Sequence, residues 1–124
     1  MAALKYWIWL GSLPGVSSAA AAKLLEKLGD PEKIFFSGQS EYVAAGVDKR
    51  ASEALMNKSL GRVYEILDSC EAAGITPVAM GDASYPQRLK AIYDPPAVLY
   101  VRGSALNLDA AAVAVVGTRS CTPY

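Results

Sequence analysis

The chain has 124 residues, of which 52% are apolar and 19% charged, a composition typical of a folded protein and not of a disordered one. Its 12 lysines and arginines balance its 12 aspartates and glutamates, which disfavours tight nucleic-acid binding by a broadly basic surface. There is no histidine, and Cys70 and Cys121 lie far apart, which excludes the usual spacings of a zinc site. We therefore expect two reduced thiols, no metal and no cofactor.

The amino-terminal apolar residues superficially resemble a secretory signal. Gly11 and the Pro14-Gly15 turn interrupt that run, and the alanines after Ser18 continue into an amphipathic pattern. No apolar run reaches membrane-spanning length. We favour a helical start over a cleaved signal, and we expect a cytoplasmic protein without a membrane segment.

The first two predicted helices form a hairpin. One runs from Leu4 to Leu10 and ends at Gly11-Ser12; the next runs from about Ser18 to Leu28, with Gly29 as its stop. Two helices joined by a Pro-Gly-Val turn resemble the helix-hairpin-helix motif, which binds the DNA backbone. The candidate DNA contacts are the turn residues and the first cation beyond them: Pro14, Gly15, Val16, Ser17 and Lys23.

The match to that motif is incomplete. Ser17 stands where a second glycine is usual, and alanines follow where DNA-binding hairpins place lysine or arginine. The turn can also serve only to cross two helices at a compact angle. Because phosphate affinity depends on cationic contacts, the structural interpretation is favoured, and both stay open.

A fainter copy of this pattern follows. Asp30 caps a short helix that reaches about Phe36, and a helix from Ser40 to Ala45 then leads into a Gly46-Val47 turn. Asp48 caps the helix after that turn. Lys49 and Arg50 lie in its first turn, where they would suit a phosphate or simply form a solvated helix start, which is the favoured alternative. Another helix begins after Ser59 and ends at Gly74.

From Gly74 the pattern changes to short apolar strands. We predict strands at Ile75–Met80 and Ala97–Val101, with a helix from Tyr85 to Ile92 between them. A third strand, Ala112–Val116, has no alternation, as in strands buried on both faces of a parallel sheet. The segment 117–124 then forms the loop at a carboxyl strand end, where ligands bind in open α/β sheets.

Several motifs in residues 74–124 occur in the order of one known family. They are Gly74-Ile75, the Asp82 turn, Tyr85-Pro86-x-x-Leu89-x-x-Ile92, Asp94-Pro95-Pro96, Leu99-Tyr100-x-x-Gly103, and Val115-Val116-Gly117-Thr118-Arg119-x-x-Thr122-x-Tyr124. Together they resemble the bacterial DNA-processing protein A family, whose amino-terminal domain is also matched by the helical leader.

The resemblance implies an α/β protein in two parts. Residues 1–73 would form an all-α helix-hairpin-helix, or SAM-like, domain, and residues 74–124 would begin a Rossmann-like DNA-binding domain. Members of the family are not known as enzymes. They bind single-stranded DNA taken up in natural transformation and help to load the recombinase RecA.

The family's DNA site lies near the loop that corresponds to residues 117–120. Carried over, Gly117 would let the backbone approach a phosphate, Thr118 and Ser120 would donate hydrogen bonds, and the Arg119 guanidinium would grip the phosphate. The alternative for Arg119 is a surface position or a structural ion pair. The loop lacks Gly-x-Gly-x-x-Gly and a downstream acid, so dinucleotide binding is not supported.

A complete Rossmann-like core needs more strand-helix units than this chain holds. We therefore expect the remaining DNA contacts, the RecA contacts and the family's homodimer surface beyond Tyr124. Two other functions remain open. One is a Rossmann-like enzyme that uses the Gly117 loop on a nucleotide phosphate, although no histidine or activated nucleophile supports it. The other is a helical protein-interaction module.

Overall fold

The structure is a computed structural model that describes residues 3–104 and 110–123. In these ranges it is a mixed α/β protein with helices and strands in the order α1 Leu4–Ser12, α2 Ser18–Leu28, α3 Pro31–Phe36, α4 Gln39–Ala44, α5 Lys49–Ala54, α6 Gly61–Ala73, β1 Ile75–Ala79, α7 Gln87–Lys90 and β2 Val98–Arg102. None of the helices described is long and apolar enough to cross a bilayer.

Side-chain caps explain where three of the helices begin. Ser17 accepts a hydrogen bond from the backbone N–H of Ala20 at 3.1 Å, and Asp48 accepts one from Ala51 at 2.8 Å. Asp30 caps α3 in the same way, with Pro31 in the first helical position. The starts of α2, α3 and α5 therefore lie where the sequence predicts them.

The core is built around α1. Its residues Ile8, Trp9 and Leu10 are almost fully buried, and they pack with Leu24 of α2 and Ile34 of α3. The Trp9 indole N–H donates a hydrogen bond to the Asn57 carbonyl oxygen at 2.9 Å, which links α1 to a residue distant in sequence. The short helices are thus held by tertiary packing, since helices of this length are marginal alone.

β1 and β2 form a two-stranded antiparallel sheet, with Pro77 opposite Tyr100 and Ala79 opposite Val98. Ala79, Ala97 and Val98 belong to the same hydrophobic core as the α1 residues. The division into units 1–73 and 74–124 stays a prediction. The shared core shows that α1 packs against the sheet.

The predicted third strand, Ala112–Val116, is wrong in this structure. Residues 112–116 have no regular secondary structure, and Val113, Val115 and Val116 are each 90% exposed or more. An apolar run becomes a buried strand only when neighbouring strands and helices cover it, and the described part of the chain places none over it. The two strands that do pair, β1 and β2, run antiparallel.

The segment between the strands also differs in detail from the prediction. α7 spans a single turn because Pro86 is extended, with φ −62° and ψ 128°, and acts as its N-cap. Tyr85 is buried instead of helical, and its hydroxyl donates to the Pro96 carbonyl oxygen at 2.7 Å. The tyrosine ring thereby ties the turn before α7 to the start of β2.

Gly81 should not tolerate a side chain, because it lies against α1. A Cβ atom at this position would be 3.0 Å from Cζ2 of the buried Trp7 ring. We expect Gly81→Ala to lower the free energy of unfolding by about 1 to 2 kcal/mol, measured by urea denaturation, because the indole must shift. Gly117→Ala is the matched control, since nothing lies within 4 Å of its Cβ position. Equal stability of the two variants would contradict this packing.

Candidate nucleic-acid interface

The two predicted hairpins share the conformation of their glycine, although different hydrogen bonds close the two turns. Gly15 and Gly46 both adopt φ 91°, a conformation that favours glycine, and each is followed by a valine and an extended N-cap residue. The turns are closed by backbone hydrogen bonds, Val16 N–H to the Leu13 carbonyl and Gly46 N–H to the Val43 carbonyl. The faint internal repeat in the sequence therefore corresponds to two turns with the same glycine conformation.

The fold brings the second hairpin's helix to the first hairpin's turn. A Cβ atom on Gly15 would be 3.6 Å from Nε of Arg50 and 3.5 Å from Cβ of Ala54. Arg50 thus lies beside the Gly15 turn, although the two residues are far apart in sequence. The first hairpin has few cations of its own in the sequence, and Arg50 of the second hairpin supplies one beside its turn. Sequence reasoning missed the juxtaposition because it arises from the packing of one repeat on the other.

The other candidate hairpin residues are distributed more loosely. Pro14 and Ser17 are exposed, whereas Val16 is half-buried and packs against the core. Lys23 is exposed on α2. Lys49 lies 3.8 Å from the Glu53 carboxylate in a solvent-exposed pair, and such pairs contribute little to stability. A phosphate could therefore compete for Lys49 at small cost.

The loop predicted to bind DNA is fully accessible. Its four candidate residues are all exposed: Gly117, Thr118, Arg119 and Ser120. The Cβ position of Gly117 has no atom within 4 Å, so the backbone there is open to an approaching ligand.

A third cationic position, which sequence reasoning did not find, is structural. The Lys58 ammonium donates hydrogen bonds to the Tyr42 hydroxyl and to the Ser37 carbonyl oxygen. It also lies 5.1 Å from the Trp9 ring centroid and 5.4 Å from that of Phe35. These contacts direct Lys58 into the aromatic core and away from a phosphate. No local pattern in the sequence marks this lysine, because all its partners come from other elements.

Burial shifts the pKa values of both groups in this contact. It lowers the pKa of the Lys58 ammonium, because the charged form loses hydration. Burial, with a smaller contribution from the Glu41 carboxylate, raises the pKa of Tyr42 to about 12. Tyr42 therefore stays neutral at physiological pH, and its hydroxyl remains within hydrogen-bonding reach of the Ile34 and Ser37 carbonyl oxygens.

The Asp82 turn, part of the family resemblance, is a closed structural turn. One carboxylate oxygen of Asp82 accepts hydrogen bonds from both the backbone N–H and the hydroxyl of Ser84, each at 2.8 Å. The backbone hydrogen bond from Ser84 is the main cause that lowers the pKa of Asp82, followed by the hydroxyl bond. The carboxylate is thus engaged within its own turn.

The described residues hold no group of three or more acidic, cysteine or histidine side chains placed to bind a metal ion. Cys70 is buried and Cys121 exposed, and both are free thiols.

Comparison with known proteins finds a family similarity in the carboxyl-terminal part of the chain. The sequence model of the family described as DNA recombination-mediator protein A matches residues 76–124. The similarity to that family therefore lies in these residues. Over 64 residues the chain is 38% identical to the DNA processing protein DprA of Bacillus subtilis (strain 168), an alignment that covers 51% of this chain and 22% of the relative.

The resemblance to the DNA-processing protein A family is therefore confirmed over residues 76–124, and the match of the helical leader to that family's amino-terminal domain stays a prediction. The matched region spans about a fifth of the length of the curated relative. No solved structure gives a match to the chain. The family match includes the complete run from Gly117 to Ser120, so the candidate loop lies inside the matched region.

Proposed function

We propose that this chain takes part in DNA recombination by binding single-stranded DNA through the loop Gly117–Ser120. The observation that carries the proposal is that the match to the recombination-mediator family covers this loop. The DprA relative is described as a DNA processing protein. The role proposed for this chain is binding, not catalysis, and it requires no cofactor.

The chemistry of the loop suits a phosphate backbone. Arg119 offers a planar guanidinium that donates two parallel hydrogen bonds to phosphate oxygens, and Thr118 and Ser120 supply hydroxyl donors on either side. Gly117 leaves the backbone open to close approach. These groups recognise phosphate and carry no base preference, as expected for a protein that holds strands of any sequence.

The hairpins provide a second, weaker contact in this proposal. Arg50 lies beside the Gly15 turn, so a cation and a glycine-containing turn meet on one surface. Lys23 and Lys49 would add charge around that turn, with Pro14, Val16 and Ser17 shaping it. Contacts of this kind contribute mainly through release of counterions. RecA loading and self-association, which the family resemblance implies, are included in the proposal.

One observation favours a second candidate function, a protein-interaction surface on the helices. Phe36 is 70% exposed, although its ring packs against Phe35 with centroids 5.1 Å apart and against Tyr6 at 5.9 Å. Exposed aromatic residues held rigidly by neighbours are common anchors at protein interfaces. This surface could serve a partner protein while the Gly117 loop holds DNA.

A titration of labelled single-stranded oligonucleotide, followed by fluorescence anisotropy over a range of salt concentrations, tests the proposed function. We expect binding at low salt whose affinity falls linearly with salt on logarithmic axes, because each phosphate contact releases counterions. Free nucleotides should compete poorly with the oligonucleotide, since a single nucleotide can occupy only one of the phosphate contacts. Absence of binding at low salt, or equal affinity for a mononucleotide, would overturn the proposal.

A further inference from the structure

A groove runs from the first hairpin to α6, and Tyr100 lies in the middle of it. Its first part is a small concavity of about 80 Å³ between the hairpin and the start of β2. Its second part is an open concavity of about 630 Å³ between α1, α6 and the sheet. Both parts are lined by Gly11 and by Tyr100, so the two form one path. We call this path the Tyr100 groove.

The Tyr100 groove has both apolar and hydroxyl-bearing lining residues. Ser17 and Ser18 line its hairpin end, and Ser12 and Ser69 line the wider part, where the Ser12 hydroxyl already donates a hydrogen bond to the Trp9 carbonyl oxygen at 3.4 Å. The Ser17 oxygen already accepts a bond from the Ala20 N–H, so its hydroxyl proton is directed elsewhere.

A cation lies at the far end of the groove. Arg62, in the first turn of α6, projects there with its side chain 74% exposed. Among the lining residues, all within the described part of the chain, Glu65 is the one carboxylate. It lies 3.9 Å from Arg62 in an exposed pair. Such a pair is weak and would yield to a phosphate.

Tyr100 presents an aromatic surface inside this groove. It lies on β2 opposite Pro77 and is 47% exposed, so about half of its surface is open to a ligand. Gly11 beside it has no side chain, so the space next to the ring stays open. Arg62 is close enough to act electrostatically on the tyrosine hydroxyl, whose pKa is raised above all by burial. The backbone of Tyr100 is thus held in the sheet, while part of its ring is exposed to the groove.

We propose that the Tyr100 groove binds single-stranded DNA, with a base stacked on Tyr100 and flanking phosphates held by Arg62 and by the serine hydroxyls at the hairpin end. This inference rests on the proposed function and adds a second contact to it. An aromatic ring between hydroxyl and cationic groups along an open path matches the way proteins bind single strands without reading their sequence. A duplex has no exposed base face to offer this ring.

The groove also joins two features that the sequence suggests separately. Val16 and Ser17, candidate phosphate contacts of the hairpin, line its narrow end, and Tyr100 belongs to the matched family segment. A strand of nucleotides laid along the groove would touch both. A single strand is favoured over a folded protein partner because Arg62 and four serines share the lining with its apolar residues, Leu10, Val16, Ile66, Ile75 and Val98.

The test compares Tyr100→Ala, Tyr100→Phe and the wild-type chain in anisotropy titrations with an oligothymidylate of about 15 nucleotides. We expect Tyr100→Ala to weaken binding by about 5- to 100-fold and Tyr100→Phe to retain nearly full affinity, because phenylalanine keeps the stacking face. Tyr64→Ala is the matched control, since Tyr64 is 52% exposed on α6 but does not line the groove. Thermal unfolding of each variant checks that the fold is kept.

A photochemical readout supplies independent support. Crosslinking of an oligonucleotide that carries 5-iodouracil should yield an adduct on Tyr100, located by fragmentation mass spectrometry because the exposed Tyr93 lies in the same tryptic peptide. If the wild-type chain binds DNA but Tyr100→Ala binds equally well and no adduct forms there, the groove proposal fails while the Gly117 loop remains a candidate. If the wild-type chain does not bind single strands at all, both proposals fail.

Discussion

Replacing Trp9 with alanine should lower the free energy of unfolding by about 3 to 5 kcal/mol. Trp9 is 1% exposed and lies at the centre of the core. Its ring meets Phe35 edge-on with centroids 5.0 Å apart, and the Lys58 ammonium lies 5.1 Å from its centroid. Alanine would leave a cavity, remove the hydrogen bond to Asn57 and deprive Lys58 of an aromatic neighbour.

Urea denaturation followed by far-UV circular dichroism measures this loss. Trp9→Phe should be less destabilising, because it keeps an aromatic ring and loses mainly the indole N–H bond to the Asn57 carbonyl. Tyr93→Ala is the control for aromatic removal at the surface, since Tyr93 is 84% exposed, and it should change stability by less than about 0.5 kcal/mol. If Trp9→Ala were as mild as Tyr93→Ala, the core would not be organised around α1 as described.

The parts of the fold that the sequence predicts well are those with local chemical signals. Ser17, Asp30 and Asp48 each cap a helix where the sequence places a cap, because the side-chain bond to the N3 backbone N–H needs only neighbouring residues. Gly29 adopts φ 97° and ends α2 at the predicted residue. These helix ends depend on interactions between residues close in sequence, so sequence patterns predict them.

The parts that it misses depend on residues distant in sequence. The position of Arg50 beside Gly15 follows from how one hairpin packs on the other, and the contacts of Lys58 come from Trp9, Ser37 and Tyr42. The Tyr100 groove likewise arises where α1, α6 and β2 meet. None of these arrangements has a signature within a single window of sequence.

In the exposed run Ala112–Val116, a local sequence pattern predicts a strand that the structure does not form. Its composition suits a buried strand, but burial requires covering elements, and the described structure leaves Val115 94% exposed. The start of this segment is held by a hydrogen bond from the Arg88 guanidinium to the Ala110 carbonyl oxygen at 2.7 Å. The composition of this segment therefore suits a buried strand, but without covering elements in the described structure the segment stays exposed and irregular.

Replacing Arg119 with alanine should weaken binding of single-stranded DNA by about 10-fold or more, because charge-assisted hydrogen bonds to phosphate are worth about 1.5 to 3 kcal/mol each. Arg119 is exposed, so its loss removes no core packing and the fold should be unaffected. The salt dependence gives a sharper readout than affinity. Loss of one phosphate contact should reduce the slope of log affinity against log salt by about 1.

Lys33→Ala is the matched control for Arg119→Ala. Lys33 is exposed on α3 and is not one of the candidate contacts, so its removal lowers net charge by the same amount without touching the site. If both variants weakened binding equally and left the slope unchanged, the loop would act only through overall charge. A weaker, flatter salt profile for Arg119→Ala alone would instead assign a direct phosphate contact to this guanidinium, since a distant charge cannot release the same counterion.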